Sequence, residues 1–174
     1  MPGRIEEMAS KAAGAMKAVK ATVTGLSGVF KQLTKEHGEV SALLLKVELS
    51  SDPKVRRALF PTIRRELLAH EKAELREVYP TFVGHPELKD IAVEHDREAR
   101  ELEQILSELH ATPCEDEGWG PRFSQLVEAV KHHTAQEESR FFPAAIRVLG
   151  KEAAERMQSR YESCKEDLLR GMPT

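Results

Sequence analysis

The chain has 174 residues, of which 40% are apolar and 5% aromatic, and its 26 Lys and Arg against 29 Asp and Glu give a formal net charge of −3. This length suits one domain with a single core. The near-neutral charge and the few aromatic side chains argue against a nucleic-acid partner. Two cysteines cannot form the disulfide framework of a small secreted scaffold, so we expect a reducing, cytoplasmic setting.

The first residues differ in composition from the rest of the chain. Residues 1–35 hold six Lys and Arg and two Glu, a charge of +4, so the remainder carries −7. Their apolar residues recur at helical spacing, which predicts an amphipathic helix over about 5–23 and a glycine hinge after it. We expect this helix to pack on the bundle or to contact a protein partner or a second copy; an acidic membrane surface is the alternative. The glutamates at its start argue against a signal peptide.

Helical periodicity continues through the rest of the chain, and no stretch alternates like a strand. Proline and glycine breakers divide it into helices at about 27–49, 53–78, 86–110, 121–142 and 151–169. No apolar run is long enough to span a membrane. We predict an all-α, up-down-up-down four-helix bundle with an extra N-terminal amphipathic helix and a short C-terminal helix. The predicted divisions are 1–28 for the basic helix and hinge, 29–145 for the bundle, and 146–174 for a C-terminal helix packed on it.

Each bundle helix carries one histidine in its apolar seam, namely His37, His70, His95 and His133. The second and fourth helices add a glutamate one turn later, Glu74 and Glu137. Residues spaced by three or four share one face of a helix, so these six side chains should converge in the middle of the bundle. Burying such groups without partners costs several kcal/mol for each carboxylate. A metal centre would compensate all six together.

The pattern is repeated along the chain. An aromatic-proline pair stands nine and ten positions after the histidine in both halves: Tyr79-Pro80 after His70, and Phe142-Pro143 after His133. This duplication predicts a pseudo-twofold bundle whose halves supply equivalent ligands, as a dinuclear site requires. The alternative, four histidines each satisfied separately in the core, does not account for the repeat. Imidazole with carboxylate suits Fe, Mn, Zn or Ni, and the lack of a thiolate on any seam argues against structural zinc or an iron-sulfur cluster.

The fourfold pattern resembles the hemerythrin-like, or HHE cation-binding, family over about residues 30–145. The resemblance implies a four-helix bundle that holds two iron ions bridged by oxygen (oxo or hydroxo), with Mn or Zn as other candidates. It makes the four seam histidines terminal ligands and the two glutamates bridging carboxylates. One ligand of the oxygen-carrying hemerythrins is missing, since no second histidine lies one turn from His95.

The missing histidine leaves a further coordination position to be filled. Water, Glu71 or Glu98 are the candidates, and Glu71 ranks above Glu98 because an acidic residue after the second-helix histidine is similar to the iron-sensing hemerythrin-like domain of a eukaryotic F-box protein. The other histidines, His85, His110 and His132, are expected at turns, at helix ends or in solvent.

An oxygen-rich ligand set favours ferric iron. We therefore predict a non-heme di-iron protein that binds or reacts with O2, peroxide or NO, in sensing, scavenging or iron handling. A catalase-, peroxidase- or oxidase-like activity stays open. The alternatives are a metal-stabilised binding module without turnover and a reversible oxygen-binding protein.

Overall fold

The computed structural model describes residues 3–172, and every regular element in that range is helical. The helices are α1 (Arg4–Val23), α2 (Gly28–Glu48), α3 (Pro53–Glu77), α4 (Pro86–Ala111), α5 (Trp119–Gln136), α6 (Phe142–Leu149) and α7 (Lys151–Gly171). A 3-10 turn at Tyr79–Thr81 follows α3, and a π-helical turn at Glu137–Phe141 joins α5 to α6. The predicted all-α fold is confirmed. Between residues 3 and 172 no helix has both the length and the apolar character needed to cross a membrane.

Helices α2 to α5 form the bundle, since each contacts the next and α5 contacts α2. Two apolar clusters fill its two ends. Near its start α2 contributes Phe30 to one cluster, and near its end it contributes Val47 to the other. The order is reversed in α3: Leu59, near its start, lies in the cluster of Val47, and Val78, just after its end, lies in the cluster of Phe30. Helices α4 and α5 repeat this alternation, so successive helices run up and down as predicted. The buried histidines and glutamates lie between the two clusters along every helix.

The fourth bundle helix extends beyond its predicted end. The sequence predicts a stop before Pro143, but the chain continues through the π-helical turn into α6. A proline ring clashes with the carbonyl four residues before it in a regular α-helix, and the extra residue of a π-turn relieves that clash. The turn begins at Glu137. Pro143 therefore changes the pitch of the helix beside the site and does not end it.

The two terminal helices pack against the bundle, α1 on α2 and α7 on both α2 and α3. Glycine allows the first contact to be close, because a Cβ on Gly38 would lie only 2.6 Å from the carbonyl oxygen of Ala13. Helix α7 begins at the predicted residue, 151, and ends two residues beyond the predicted 169, and with 21 residues it is as long as α2.

Candidate metal centre

The side chains predicted as ligands meet in the middle of the bundle in two groups. The first group is His37, His70 and Glu137, and the second group is Glu71, Glu74, His95 and His133. Within each group the ligand atoms all lie within 4.8 Å of one another. All seven side chains are buried. The structure thus brings together the four seam histidines, Glu74 and Glu137, together with Glu71, the higher-ranked candidate for the open position.

Two carboxylates connect the groups. Glu137 Oε2 lies 3.1 Å from His37 Nε2 and 3.5 Å from His133 Nε2. Glu74 Oε2 lies 3.5 Å from His70 Nε2 and 3.3 Å from His95 Nε2. Each carboxylate therefore reaches one histidine of each group. A carboxylate that bridges two cations has to stand in this position.

The two groups are not equivalent. Glu71 belongs to the second group, with Oε1 at 3.3 Å from His133 Nε2 and Oε2 at 3.7 Å from His95 Nε2. In the repeated half of the chain its place is taken by Thr134, which offers no carboxylate to the first group. Glu98, the lower-ranked candidate, lies in neither group: its Oε2 is 2.9 Å from the outer nitrogen, Nδ1, of His133.

Three of the histidines are held on their outer side by a carboxylate. Because a carboxylate only accepts hydrogen bonds, the ring Nδ1–H must donate, and Nε2 is the ring atom that faces the centre. The pairs, each 2.9 Å apart, are His37 with Glu138, His70 with Glu36, and His133 with Glu98. Such partners fix the tautomer and the orientation of a metal-binding imidazole.

His95 is positioned by an aromatic ring. The Tyr79 ring stacks on its imidazole with centroids 3.5 Å apart, and the Tyr79 hydroxyl donates to Glu137 Oε1 at 2.6 Å. Burial lowers the pKa of His95 to about 4 despite the carboxylates around it, so this ring is neutral at pH 7. Burial and the charge of Glu137 raise the pKa of Tyr79 well above its usual value, which keeps its hydroxyl a donor.

The inner atoms of the site fit a bound cation. Six of these buried atoms have no hydrogen-bond partner among the described residues: Nε2 of His37, His70 and His133, Oε2 of Glu71, Oε1 of Glu74 and Oε2 of Glu137. Leaving buried polar atoms unpaired is costly, and these are nitrogen and oxygen donors of the kind that bind iron, manganese or zinc. Burial and the neighbouring carboxylates, Glu137 first among them, raise the pKa of Glu74 well above its usual value. A cation among these carboxylates would remove that repulsion.

Comparison with known proteins agrees with this geometry. The family model of the hemerythrin HHE cation-binding domain matches residues 28–145. The chain belongs to this family. It is also similar to a protein named DNA nickase from Nostoc sp. (strain PCC 7120 / SAG 25.82 / UTEX 2576), with 29% identity over 136 residues. Those residues are 76% of this chain and 38% of the nickase, so the chain spans well under half of that relative. No solved structure matches the chain.

The hemerythrin domain belongs to a metal-binding family. In this chain the candidate metal centre opens toward a cavity. The cavity has a volume of about 210 Å³ and is bordered by His70, Glu71 and His133. Apolar side chains of α2, α3 and α5 border it, and so do polar and charged side chains of α1, α2, α3 and α7, Ser10 of α1 among them. A small molecule in this space would lie next to ligand residues of both groups.

The remaining histidines of the hemerythrin domain lie outside both groups, as predicted. His132 is 63% exposed, His85 stands at the N-cap position of α4, and His110 lies in the last turn of α4. Sequence reasoning missed several contributors to the site: Glu36 and Glu138 on the outer side of histidines, and the residues that bind these two carboxylates in turn. Their one signal in the sequence is adjacency, since Glu36 precedes His37 and Glu138 follows Glu137.

Proposed function

We propose that this hemerythrin domain holds two iron ions bridged by oxygen and binds or reacts with O2, peroxide or NO, in sensing, scavenging or iron handling. The observation that carries the proposal is that Glu74 and Glu137 each reach a histidine of both groups. His37 and His70 would hold one iron, and His95, His133 and Glu71 the other. When bound, an iron pair supplies electron exchange with a small oxidant.

The unequal groups support a reactive centre. With Thr134 in the place of a carboxylate, the first group has fewer protein ligands than the second, which leaves room there for an exogenous molecule. The cavity that borders His70 gives such a molecule space. The Tyr79 hydroxyl keeps its proton and donates it in a hydrogen bond to Glu137. An oxygen-rich set with Glu71 suits the harder, ferric ion and disfavours reversible oxygen carriage.

A test of the proposed reactivity uses protein loaded with Fe(II) without air. We expect exposure to air to oxidise the iron with uptake of O2, and no absorption band that disappears again under vacuum. A band that bleaches under vacuum would mean reversible oxygen binding. Rapid loss of added H2O2 with the oxidised protein would establish a catalase-like activity. The H132A variant, changed outside both groups, should behave as wild type.

The alternative is a binding module in which the metal only orders the bundle. One observation favours it: α1 exposes large apolar side chains along its outer face, namely Ile5, Met8, Met16, Val19 and Val23. Such a stripe is typical of a helix that contacts a protein partner or a second copy. An iron-loaded protein that reacts with none of O2, H2O2 and NO would favour this reading.

Nicking of supercoiled DNA belongs in the same assay series, because the Nostoc relative is named for that activity.

A further inference from the structure

Two lysines from outside the four-helix bundle reach the carboxylates behind the first group. Lys17 of α1 donates to Glu138 Oε1 at 2.6 Å, and the same oxygen lies 2.9 Å from His37 Nδ1. Lys165 of α7 donates to Glu36 Oε2 at 2.7 Å, and that oxygen lies 2.9 Å from His70 Nδ1. Both histidines of the first group thus end a chain of the form lysine, carboxylate, imidazole.

These contacts are more enclosed than ordinary surface ion pairs. The side chain of Lys165 is 12% exposed and that of Lys17 is 30% exposed. The fully buried Tyr161 of α7 adds its hydroxyl, which donates to Glu36 Oε2 at 2.6 Å. Although burial raises the pKa of Glu36, the hydrogen bond from His70 and the charge of Lys165 outweigh it and hold that pKa well below its usual range. Glu36 is therefore charged and fully occupied by its partners.

The second group has no such support among residues 3–172. Glu98, which holds His133, has two exposed neighbours that face its carboxylate: Arg97 at 3.7 Å and His132 at 3.5 Å, both more than 60% exposed. The Nδ1 atom of His95 has no partner in the described part of the chain. Screening by solvent weakens exposed pairs of this kind. The lysine support is confined to the first group.

A carboxylate that accepts from Nδ1–H orients the imidazole and raises its basicity as a ligand. A glutamate side chain is flexible, so its hold on the ring depends on what restrains the glutamate. We propose that Lys17 and Lys165 are positioning residues that fix the rings of His37 and His70 through Glu138 and Glu36. This inference rests on the proposed metal centre.

The proposal assigns a role to the helices outside the matched domain. Lys17 and Lys165 both lie beyond residues 28–145, where the family model matches. Helices α1 and α7 would then set how firmly the first group holds its cation, whereas Glu71, within the domain, serves the second group. Loss of either lysine should weaken one of the two cation sites and leave the other unchanged.

The experiment uses the full chain loaded with Zn(II), which is diamagnetic, and histidine labelled with 15N. In the wild type we expect the Nδ1–H protons of His37 and His70 to exchange slowly with water. In K17M the His37 proton should exchange at least about ten times faster while that of His70 is unchanged, and K165M should show the reverse. The matched controls are K20M and K151M, which remove exposed lysines from the same two helices.

Zinc retention under a chelator gives a second readout. A lost hydrogen-bond partner of a ligand typically weakens metal binding by about 10–100-fold. Each lysine lies one step further out, on the carboxylate partner, so we expect K17M and K165M to weaken the first site by less than this and to lose one of the two zinc ions at a lower chelator concentration than the wild type. K17R keeps the cation and should restore the second zinc, which a purely steric role for Lys17 would not predict.

The possible outcomes distinguish a failure of the proposed lysine role from a failure of the proposed metal centre. A wild type that holds two zinc ions, with Nδ1–H exchange unchanged in both variants, overturns the role of the lysines alone. A wild type that binds neither zinc nor iron overturns the metal centre, and this inference with it. K165M leaves Glu36 buried without its cation, so K165R, which keeps a cation beside Glu36, is the second variant and should restore slow exchange at His70. The more exposed Lys17 gives an independent result.

Discussion

Replacing Glu137 by glutamine should remove both cations from the centre, whereas replacing His37 by alanine should remove only one. Glu137 approaches the Nε2 atoms of His37, His133 and His95 at 3.1, 3.5 and 3.6 Å, so its charge serves both groups. His37 belongs to the first group alone. We expect the affinity of E137Q for both cations to fall by more than the roughly 100-fold typical of a hydrogen-bond partner. Metal analysis after reconstitution and desalting measures the difference.

Two further variants complete this comparison. E74Q should behave as E137Q, because Glu74 also reaches a histidine of each group. H132A should keep both cations, since His132 is exposed and lies in neither group. If E137Q and H37A lose the same amount of metal, Glu137 does not serve two cations, and the dinuclear arrangement is wrong.

Removal of the metal should lower the melting temperature markedly. Without a cation, Glu71, Glu74 and Glu137 are carboxylates buried close to one another, which raises the free energy of the folded state. A ligand present at a thousand times its dissociation constant adds about 4 kcal/mol to the free energy of unfolding. For a chain of this length, each kcal/mol corresponds to roughly 2–4 °C, so we expect chelation of two cations, each contributing about 4 kcal/mol, to lower the melting temperature by roughly 16–32 °C. Differential scanning calorimetry with and without EDTA measures the shift.

The control for this measurement is E137Q, which should melt at the same temperature with and without EDTA. H132A should show the full wild-type shift. Equal melting temperatures for chelated and reconstituted wild type would mean that the cation contributes nothing to folding.

The period of the helices explains why the convergence of these side chains could be predicted. A residue in an apolar seam faces the core whatever its neighbours are, so the four histidines with Glu74 and Glu137 follow from spacing alone. The place of Glu71 was harder to predict, because it lies beside the seam and the direction of its side chain depends on how α3 is rotated against α4 and α5. The structure turns it inward, to the second group.

The glutamates that hold the histidines on their outer side could not be predicted from the sequence. Glu36 and Glu94 stand in equivalent places, each just before a seam histidine. Glu36 is buried and holds His70, whereas Glu94 pairs with Arg140 at the surface. The difference arises from α7, which covers one side of the bundle and supplies Tyr161 and Lys165. The position of a helix outside the repeat cannot be deduced from the repeat. The only indication in the sequence that α7 contacts the site was a tyrosine and a lysine four residues apart on one face of that helix.

The most direct test of the account is the metal content of the protein as purified, combined with X-ray absorption at the metal edge. The account predicts about two iron ions per chain, bound by nitrogen and oxygen, with scattering from a second iron close to the first. One zinc ion per chain, or iron without a neighbouring iron, would contradict it.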